Sequence, residues 1–206
     1  QIVGDRSEAN GFKMATVISA GELIDGVGGG TCQIAGTLFA ASFFAGMEVL
    51  DRTPHSRPRG YIKMGLDATV VYPSINLRMR NNLPFPVVIH RRIGNGVLRI
   101  ELLGARSERT VTFVRKIMPR VDRFEELSVP DANLPAGMRV LTQRGIPGFR
   151  ITRYRIIREN DVAVRERWQD AYPPTSQIWR VGTGAALTGP IPRQDDHPEY
   201  TADQYL

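Results

Sequence analysis

Cysteine, histidine and lysine are scarce in this chain of 206 residues, which has one, three and three of them. A single cysteine cannot build an internal disulfide framework. The longest uncharged apolar stretch, residues 34–47, is shorter than the roughly 20 residues that a transmembrane helix requires. Apolar residues make up 42% of the chain and charged residues 23%, as in ordinary globular proteins. The composition therefore predicts one large or two smaller globular domains.

Because lysine is scarce, 24 arginines carry the net charge of +6. The planar guanidinium group binds carboxylates and phosphates well, so nucleic acid, an anionic membrane or an anionic wall polymer could be a partner. The arginines are scattered along alternating, strand-like segments, with no basic run and no recognition signature for nucleic acid. We therefore expect no nucleic-acid partner.

The only cysteine, Cys32, follows a glycine-rich turn and precedes the long apolar stretch. We expect Thr31 to cap a helix that runs from about Cys32 to Ala45 and ends at Gly46. Its apolar residues fall nearly all round the axis, which predicts a helix central to the core. A thiol in the first turn lies at the positive end of the helix dipole, which favours the thiolate.

His55 and Asp67 follow Cys32 in the chain order of a thiol-dependent catalytic triad. In this hypothesis Cys32 attacks a carbonyl carbon, His55 moves the proton, and Asp67 orients the imidazole. Around them we expect six substrate-binding residues: Gly29, Gly30, Gln33, Arg57, Arg59 and Tyr61.

Two alternatives stay open for these residues. Cys32 could be a packed small hydrophobe, as buried cysteines usually are. The three side chains could also hold a zinc ion, which needs three or four ligands. Since the sequence has no paired-ligand spacing, we expect neither a metal nor another cofactor.

The remainder of the chain predicts mainly β-structure. Residues 10–24 predict a strand pair with a turn at Gly21, and residues 94–96 predict a hairpin turn. We predict an α+β fold, with one core helix packed on an antiparallel sheet, followed by a small all-β domain. The predicted strands are 67–72, 75–80, 85–91, 97–103, 138–143, 149–158 and 162–166. The predicted division is an α+β domain (1–116), a connector (117–136), a small β domain (137–186) and a flexible acidic tail (187–206).

The predicted second domain contains neither cysteine nor histidine. We therefore expect it to bind or to act as a spacer rather than to catalyse. Trp168, Tyr172 and Trp179 could stack on sugar rings or simply pack within this domain. In the first domain, Asp51 and Arg52 are interpreted as a solvated turn.

Several motifs in fixed order resemble the VanW-like family over about residues 1–115. They are Gly26-Val-Gly-Gly-Gly-Thr-Cys-Gln-Ile-Ala-Gly-Thr-Leu-Phe, His55-Ser-Arg-Pro and Gly65-Leu-Asp-Ala-Thr-Val-Val-Tyr. Residues 119–184 resemble the extracellular domain named for its five glycines, through Gly145, Gly148 and the segment 172–183. The order of Cys32, His55 and Asp67 is also distantly similar to that of transglutaminase-like cysteine enzymes.

These resemblances imply a bacterial protein of the cell envelope, exported or membrane-anchored and extracytoplasmic. The partner they imply is peptidoglycan or another cell-wall polymer. The opening Gln1-Ile-Val-Gly-Asp shows no signal peptide, so we expect a fragment of a longer protein, compatible with a membrane anchor upstream. The resemblances name no reaction, but together with Cys32, His55 and Asp67 they give the hypothesis of a cysteine-dependent amide hydrolase or transpeptidase acting on peptidoglycan peptides. The alternative is a non-catalytic wall-binding module in which Cys32 is structural.

Overall fold

The computed structural model describes residues 4–19, 22–118, 122–186 and 188. Within these residues the chain is mostly β-structure with a single α-helix, so the fold class is α+β with strands predominating. A short 3-10 helix at Glu8–Asn10 comes first. The other elements are β1 Met14–Ser19, β2 Glu22–Val27, α1 Thr31–Phe44, β3 Glu48–Asp51, β4 Arg78–Arg80, β5 Val88–Gly94, β6 Val97–Leu103, β7 Thr110–Ile117, β8 Glu126–Pro135, β9 Arg139–Gln143, β10 Phe149–Glu159, β11 Val162–Tyr172 and β12 Gln177–Gly184.

The strands form three two-stranded and two three-stranded sheets in the described part of the chain. Strands β1 and β2, β3 and β4, and β5 and β6 pair antiparallel. In the order β11-β10-β7, all neighbours are antiparallel. In the order β8-β12-β9, strand β12 runs parallel to β8 and antiparallel to β9. No helix in the described residues is long and apolar enough to cross a membrane.

The helix begins one residue earlier than predicted. Its N-cap is Gly30, in a left-handed conformation with φ 85°, and Thr31 is the first helical residue. The Thr31 hydroxyl donates a hydrogen bond to Gly28 O at 2.6 Å instead of capping the helix. At the other end Gly46 has φ 72°, and the amides of Gly46 and Met47 bond back to the last turn, as in a Schellman motif.

The helix α1 contributes to the core as predicted, although only one of its sides is buried. Phe39 and Phe43 are fully buried, whereas Ile34 and Phe44 are 50% and 46% exposed. The buried side packs in a cluster with Leu66 and Ala68 and with partly buried residues of β7 and β11. The uniform apolar character of the segment therefore did not reveal which side faces the core.

The segment 67–72 is not a regular strand, contrary to the prediction. It makes only the isolated bridges Thr53–Thr69 and Val71–Ile75. Strand β4 is also shorter than the predicted 75–80. The hairpin prediction is confirmed, because β5 and β6 close on a turn in which Asn95 and Gly96 have positive φ. The turn predicted at Gly21 lies outside the described residues.

The segment predicted as a connector contains β8, which pairs with β12. The prolines of this segment do not prevent pairing, since β8 is at the edge of its sheet and an edge strand tolerates proline. Strand β11 also continues well beyond the predicted 162–166, to Tyr172. The predicted acidic tail lies outside the described residues, apart from residue 188.

Candidate functional site

The side chain of Asp67 is buried and accepts hydrogen bonds from five donors. Its Oδ2 accepts from the backbone amide of His55 at 2.7 Å and from His55 Nδ1 at 2.8 Å. Its Oδ1 accepts from Arg52 Nη2 at 2.7 Å, from the Tyr172 hydroxyl at 2.6 Å and from the Gly65 amide at 3.2 Å. All five donors require an acceptor, which a carboxylate provides on both oxygens.

The charge state of Asp67 follows from these contacts. Burial by itself raises the pKa of this carboxyl, but hydrogen bonds from His55 and Tyr172 and the charge of Arg52 hold the pKa well below its usual range. An ionised carboxylate can only accept, so Nδ1 of His55 must carry a proton. This fixes the orientation of the imidazole and leaves Nε2 for the other side of the ring.

His55 is also buried, with 5% of its surface exposed. The Tyr61 hydroxyl lies 3.4 Å from its Nε2, and the two rings meet edge to face. Burial lowers the pKa of His55, but hydrogen bonds with Asp67 and Cys32 outweigh this effect and raise the pKa above its ordinary value. The contacts with Asp67 and Cys32 therefore favour the protonated imidazole of His55.

Cys32 is the second residue of α1 and is half-buried. Its thiol donates to Val70 O at 3.6 Å, and the Val70 amide donates to Sγ at 3.5 Å. Burial raises the pKa of Cys32, but a hydrogen bond with His55, the Val70 amide and the charges of His55 and Arg6 lower the pKa overall. Both pKa shifts are in the direction of a thiolate–imidazolium pair, the arrangement that activates cysteine nucleophiles.

The structure thus brings together the three residues predicted as a triad. Their order is Cys32, His55, Asp67, and the imidazole lies between the thiol and the carboxylate. Within the described part of the chain, no group of three or more histidine, cysteine and acidic residues is arranged to hold a metal ion.

The predicted substrate-binding residues on the glycine side lie around the start of α1. Gly29 is half-buried, Gly30 is exposed at the N-cap, and Gln33 is half-buried in the first turn. Amide groups in the first turn of a helix have no carbonyl partner within that helix. The start of α1 therefore presents donors close to Cys32, with Gln33 beside them.

On the histidine side, Arg57 and Arg59 differ in accessibility. Arg57 is only 3% exposed, whereas Arg59 is half-buried and places its guanidinium 5.5 Å from the centre of the Tyr61 ring. Burial raises the pKa of Tyr61 to about 12, so its phenol stays protonated. Arg59 and Tyr61 are thus better placed than Arg57 to meet a ligand.

Sequence reasoning missed the residues that hold Asp67 in place. Arg52 is not part of a solvated turn, because its side chain is 2% exposed and forms ion pairs of 2.7 Å with both Asp67 and Asp170. Tyr172 is not available for sugar stacking, since it is 1% exposed and its hydroxyl bonds to Asp67. No local pattern marks either residue, because their partners lie 15 and 105 positions away.

Comparison with known proteins identifies two domains in the chain. The family model described as VanW like protein matches residues 1–103. The chain belongs to the VanW-like family. A G5 domain follows at residues 109–184, so the chain is a VanW-like domain followed by a G5 domain. Both kinds of domain are typical of extracellular and cell-envelope proteins. The similarity to transglutaminase-like enzymes is not shown by these matches.

One relative of the VanW-like domain is the uncharacterized protein YoaR of Bacillus subtilis (strain 168), 39% identical over 102 residues. The match covers 50% of this chain and 34% of that protein, so the chain spans about a third of its relative's length. The G5 domain of an IgA1 protease is 21% identical over 38% of this chain and 95% of its own, with a TM-score of 0.26. The HP0197-G5 crystal structure is 20% identical over 37% of this chain and all of its own, with a TM-score of 0.21.

Proposed function

We propose that this chain is a cysteine-dependent amide hydrolase or transpeptidase that acts on peptidoglycan peptides. The observation that supports the proposal best is the buried 2.8 Å contact of His55 Nδ1 with Asp67, together with the hydrogen bond with Cys32 that raises the pKa of His55. The envelope association of both domains supports a cell-wall polymer as the partner. No cofactor is needed for this chemistry.

In the first step the Cys32 thiolate attacks the carbonyl carbon of a peptide amide. The developing oxyanion accepts hydrogen bonds from amides at the start of α1, with Gln33 as a further donor. The C–N bond then breaks as Nε2 of His55 gives its proton to the leaving amine. The products are a thioester on Cys32 and a free amine.

In the second step water or the amine of another peptide attacks the thioester. His55, now neutral, takes the proton of the attacking group, and the C–S bond breaks to release the Cys32 thiolate. Water completes hydrolysis, and an amine completes transpeptidation. Throughout both steps Asp67 keeps the proton on Nδ1 and stabilises the imidazolium.

The test is the pH dependence of Cys32 alkylation by iodoacetamide in the folded protein. We expect the wild-type thiol to react below pH ~7, whereas an ordinary thiol has a pKa of about 8.5. His55→Ala should raise the apparent pKa of Cys32 because the hydrogen bond and the nearby charge are lost. His90→Ala is the matched control, since His90 is exposed and pairs with Glu101.

Turnover is then tested on peptidoglycan fragments. Cys32→Ala and His55→Ala should abolish the release or exchange of peptides while leaving the fold intact. Activity equal to wild type in either variant would contradict the proposal. So would a wild-type thiol that reacts only after unfolding.

The alternative is a wall-binding module without turnover. One observation favours it: the guanidinium of Arg59 lies against the partly exposed ring of Tyr61, whose hydroxyl is 3.4 Å from His55 Nε2. In this case Cys32→Ser should bind peptidoglycan as well as the wild type does, and no fragment should be cleaved. Arg59→Ala should then weaken sedimentation with purified peptidoglycan.

A further inference from the structure

The G5 domain contacts the loop that carries Asp67. Gly65 in this loop has φ 90°, and a Cβ there would lie 3.1 Å from side-chain atoms of Ile151 and Arg153 on β10 and 3.3 Å from Phe113 on β7. Arg115 Nη1 also donates to the carbonyl of Met64 at 3.1 Å. The loop therefore lies directly against the β11-β10-β7 sheet.

Two side chains of β11 reach from that sheet to the candidate triad. The Tyr172 hydroxyl accepts from the Gly65 amide at 2.8 Å and donates to Asp67 Oδ1 at 2.6 Å. Asp170 pairs with Arg52 Nη1 at 2.7 Å and with Arg153 Nε at 2.9 Å. Since Arg52 also bonds to Asp67, the G5 domain holds this carboxylate by one direct contact and one indirect contact.

The Tyr172 contact has a fixed direction. Burial and the neighbouring charge of Asp67 raise the pKa of the Tyr172 phenol far above its usual value, so the phenol keeps its proton. The ionised carboxylate of Asp67 cannot donate, and the Gly65 amide can only donate. The hydroxyl must therefore accept from the Gly65 amide and donate to Asp67 Oδ1. These two bonds fix the position of the Asp67 carboxylate relative to the backbone at Gly65.

We propose that Tyr172 and Asp170 of the G5 domain are positioning residues that hold Asp67 and Arg52, so that the VanW-like domain has a complete site only when this G5 domain is packed against it. This inference rests on the proposed function, and it gives the second domain a positioning role in addition to the expected binding or spacer role. Asp67 Oδ2 accepts from His55 Nδ1, and its Oδ1 at the same time accepts from Tyr172, Arg52 and Gly65.

The experiment uses the full chain and two readouts. The first is the NMR signal of the His55 Nδ1 proton, assigned with His55→Ala, because a buried proton shared with a carboxylate exchanges slowly with water. The second is the pKa of Cys32, taken from its alkylation profile rather than from one rate, because a more basic thiolate is also more nucleophilic. The variants are Tyr172→Phe and Asp170→Asn, and the control is Tyr154→Phe on the neighbouring strand β10.

We expect Tyr172→Phe to broaden or remove the His55 signal and to raise the apparent pKa of Cys32. A rise of about one pKa unit lowers the thiolate fraction roughly tenfold well below the pKa. Asp170→Asn should act in the same direction and less strongly, because it reaches Asp67 only through Arg52. Tyr154→Phe should match the wild type in both readouts.

A Tyr172→Phe variant with the wild-type His55 signal and an unchanged or lowered Cys32 pKa would overturn the inference, since Tyr172 would then only pack. If Tyr172→Phe fails to fold, Asp170→Asn decides by the same two readouts. The proposed function fails separately if the wild-type Cys32 has an ordinary pKa. Loss of the His55 signal in Tyr172→Phe would still support positioning by the G5 domain in that case.

Discussion

Replacing Asp67 by asparagine should strongly destabilise the folded chain. Whichever way the new amide is turned, its NH₂ group faces donors: the two of His55, or those of Arg52, Tyr172 and Gly65. The change also leaves the buried Arg52 without one of its two carboxylate partners. Removing one member of a buried ion pair costs about 3–5 kcal/mol. We expect a loss of this size in the free energy of unfolding.

The assay is equilibrium unfolding in urea at pH 7, with Asp122→Asn as the matched control. Asp122 pairs with Arg150 at 3.6 Å on the surface, where both side chains are largely exposed. Such pairs contribute roughly 0–1 kcal/mol, so the control should stay close to the wild type. A loss below about 1 kcal/mol for Asp67→Asn would refute the reasoning, because it would mean that the five donors do not depend on the carboxylate.

The pH dependence gives the same prediction a second check. The pKa of Asp67 is lowered in the folded state, so its contribution is present above the unfolded value of about 3.9 and is lost as the pH falls through the folded value. The difference in unfolding free energy between the wild type and Asp67→Asn should therefore narrow below about pH 4. A difference that stays constant from pH 7 to pH 3 would contradict the assignment of an ionised, strongly bonded Asp67.

Three further predictions concern Phe43 in the core, Gly182 in β12 and Arg59 beside Tyr61. Phe43→Ala should lower the unfolding free energy by about 3–5 kcal/mol, because its ring is fully buried against Phe39 and Phe113, whereas the half-exposed Phe44→Ala should cost much less. Gly182→Ala should prevent β12 from pairing normally with β8, since its Cβ would lie 1.9 Å from the Pro135 carbonyl oxygen; calorimetry should show a large loss of thermal stability. Arg59→Ala should raise KM for anionic wall peptides more than it lowers kcat, as measured by initial rates, because Arg59 lies against the Tyr61 ring and is not a member of the candidate triad.

Much of the candidate triad was predictable because its members are chemically distinctive. A lone cysteine after three glycines, followed by a histidine between prolines and an aspartate, limits the choice of nucleophile, base and orienting group to Cys32, His55 and Asp67. The Asn95-Gly96 hairpin was predictable for a similar reason, since both residues adopt positive φ easily. These features depend on residue type and short-range geometry, which a single sequence states directly.

The failed predictions share a dependence on distant partners. The segment 67–72 has three consecutive β-branched residues, as is typical of a strand. Its first side chain, Asp67, instead bonds to Arg52 before it and Tyr172 after it in the sequence, and its backbone forms only isolated bridges. The proline-rich segment predicted as a connector becomes β8 because β12 supplies a parallel partner some 50 residues later. Local composition cannot indicate whether such a partner exists.

The most informative failure concerns Arg52 and Tyr172, because these two residues hold the Asp67 carboxylate in the position where it contacts His55. If the oxygen that does not contact the histidine were exposed, water would solvate the carboxylate and weaken its interaction with the imidazole. In this structure Oδ1 of Asp67 accepts from the guanidinium of Arg52, the phenol of Tyr172 and the amide of Gly65, so the carboxylate remains ionised and fixed. Its Oδ2 accepts from His55 alone. The covering phenol lies in the G5 domain and the imidazole in the VanW-like domain. The candidate triad, which the sequence of the VanW-like domain suggests, is therefore held in place by Tyr172 of the G5 domain. Interpreting the sequence one domain at a time would miss this contact between Tyr172 and Asp67.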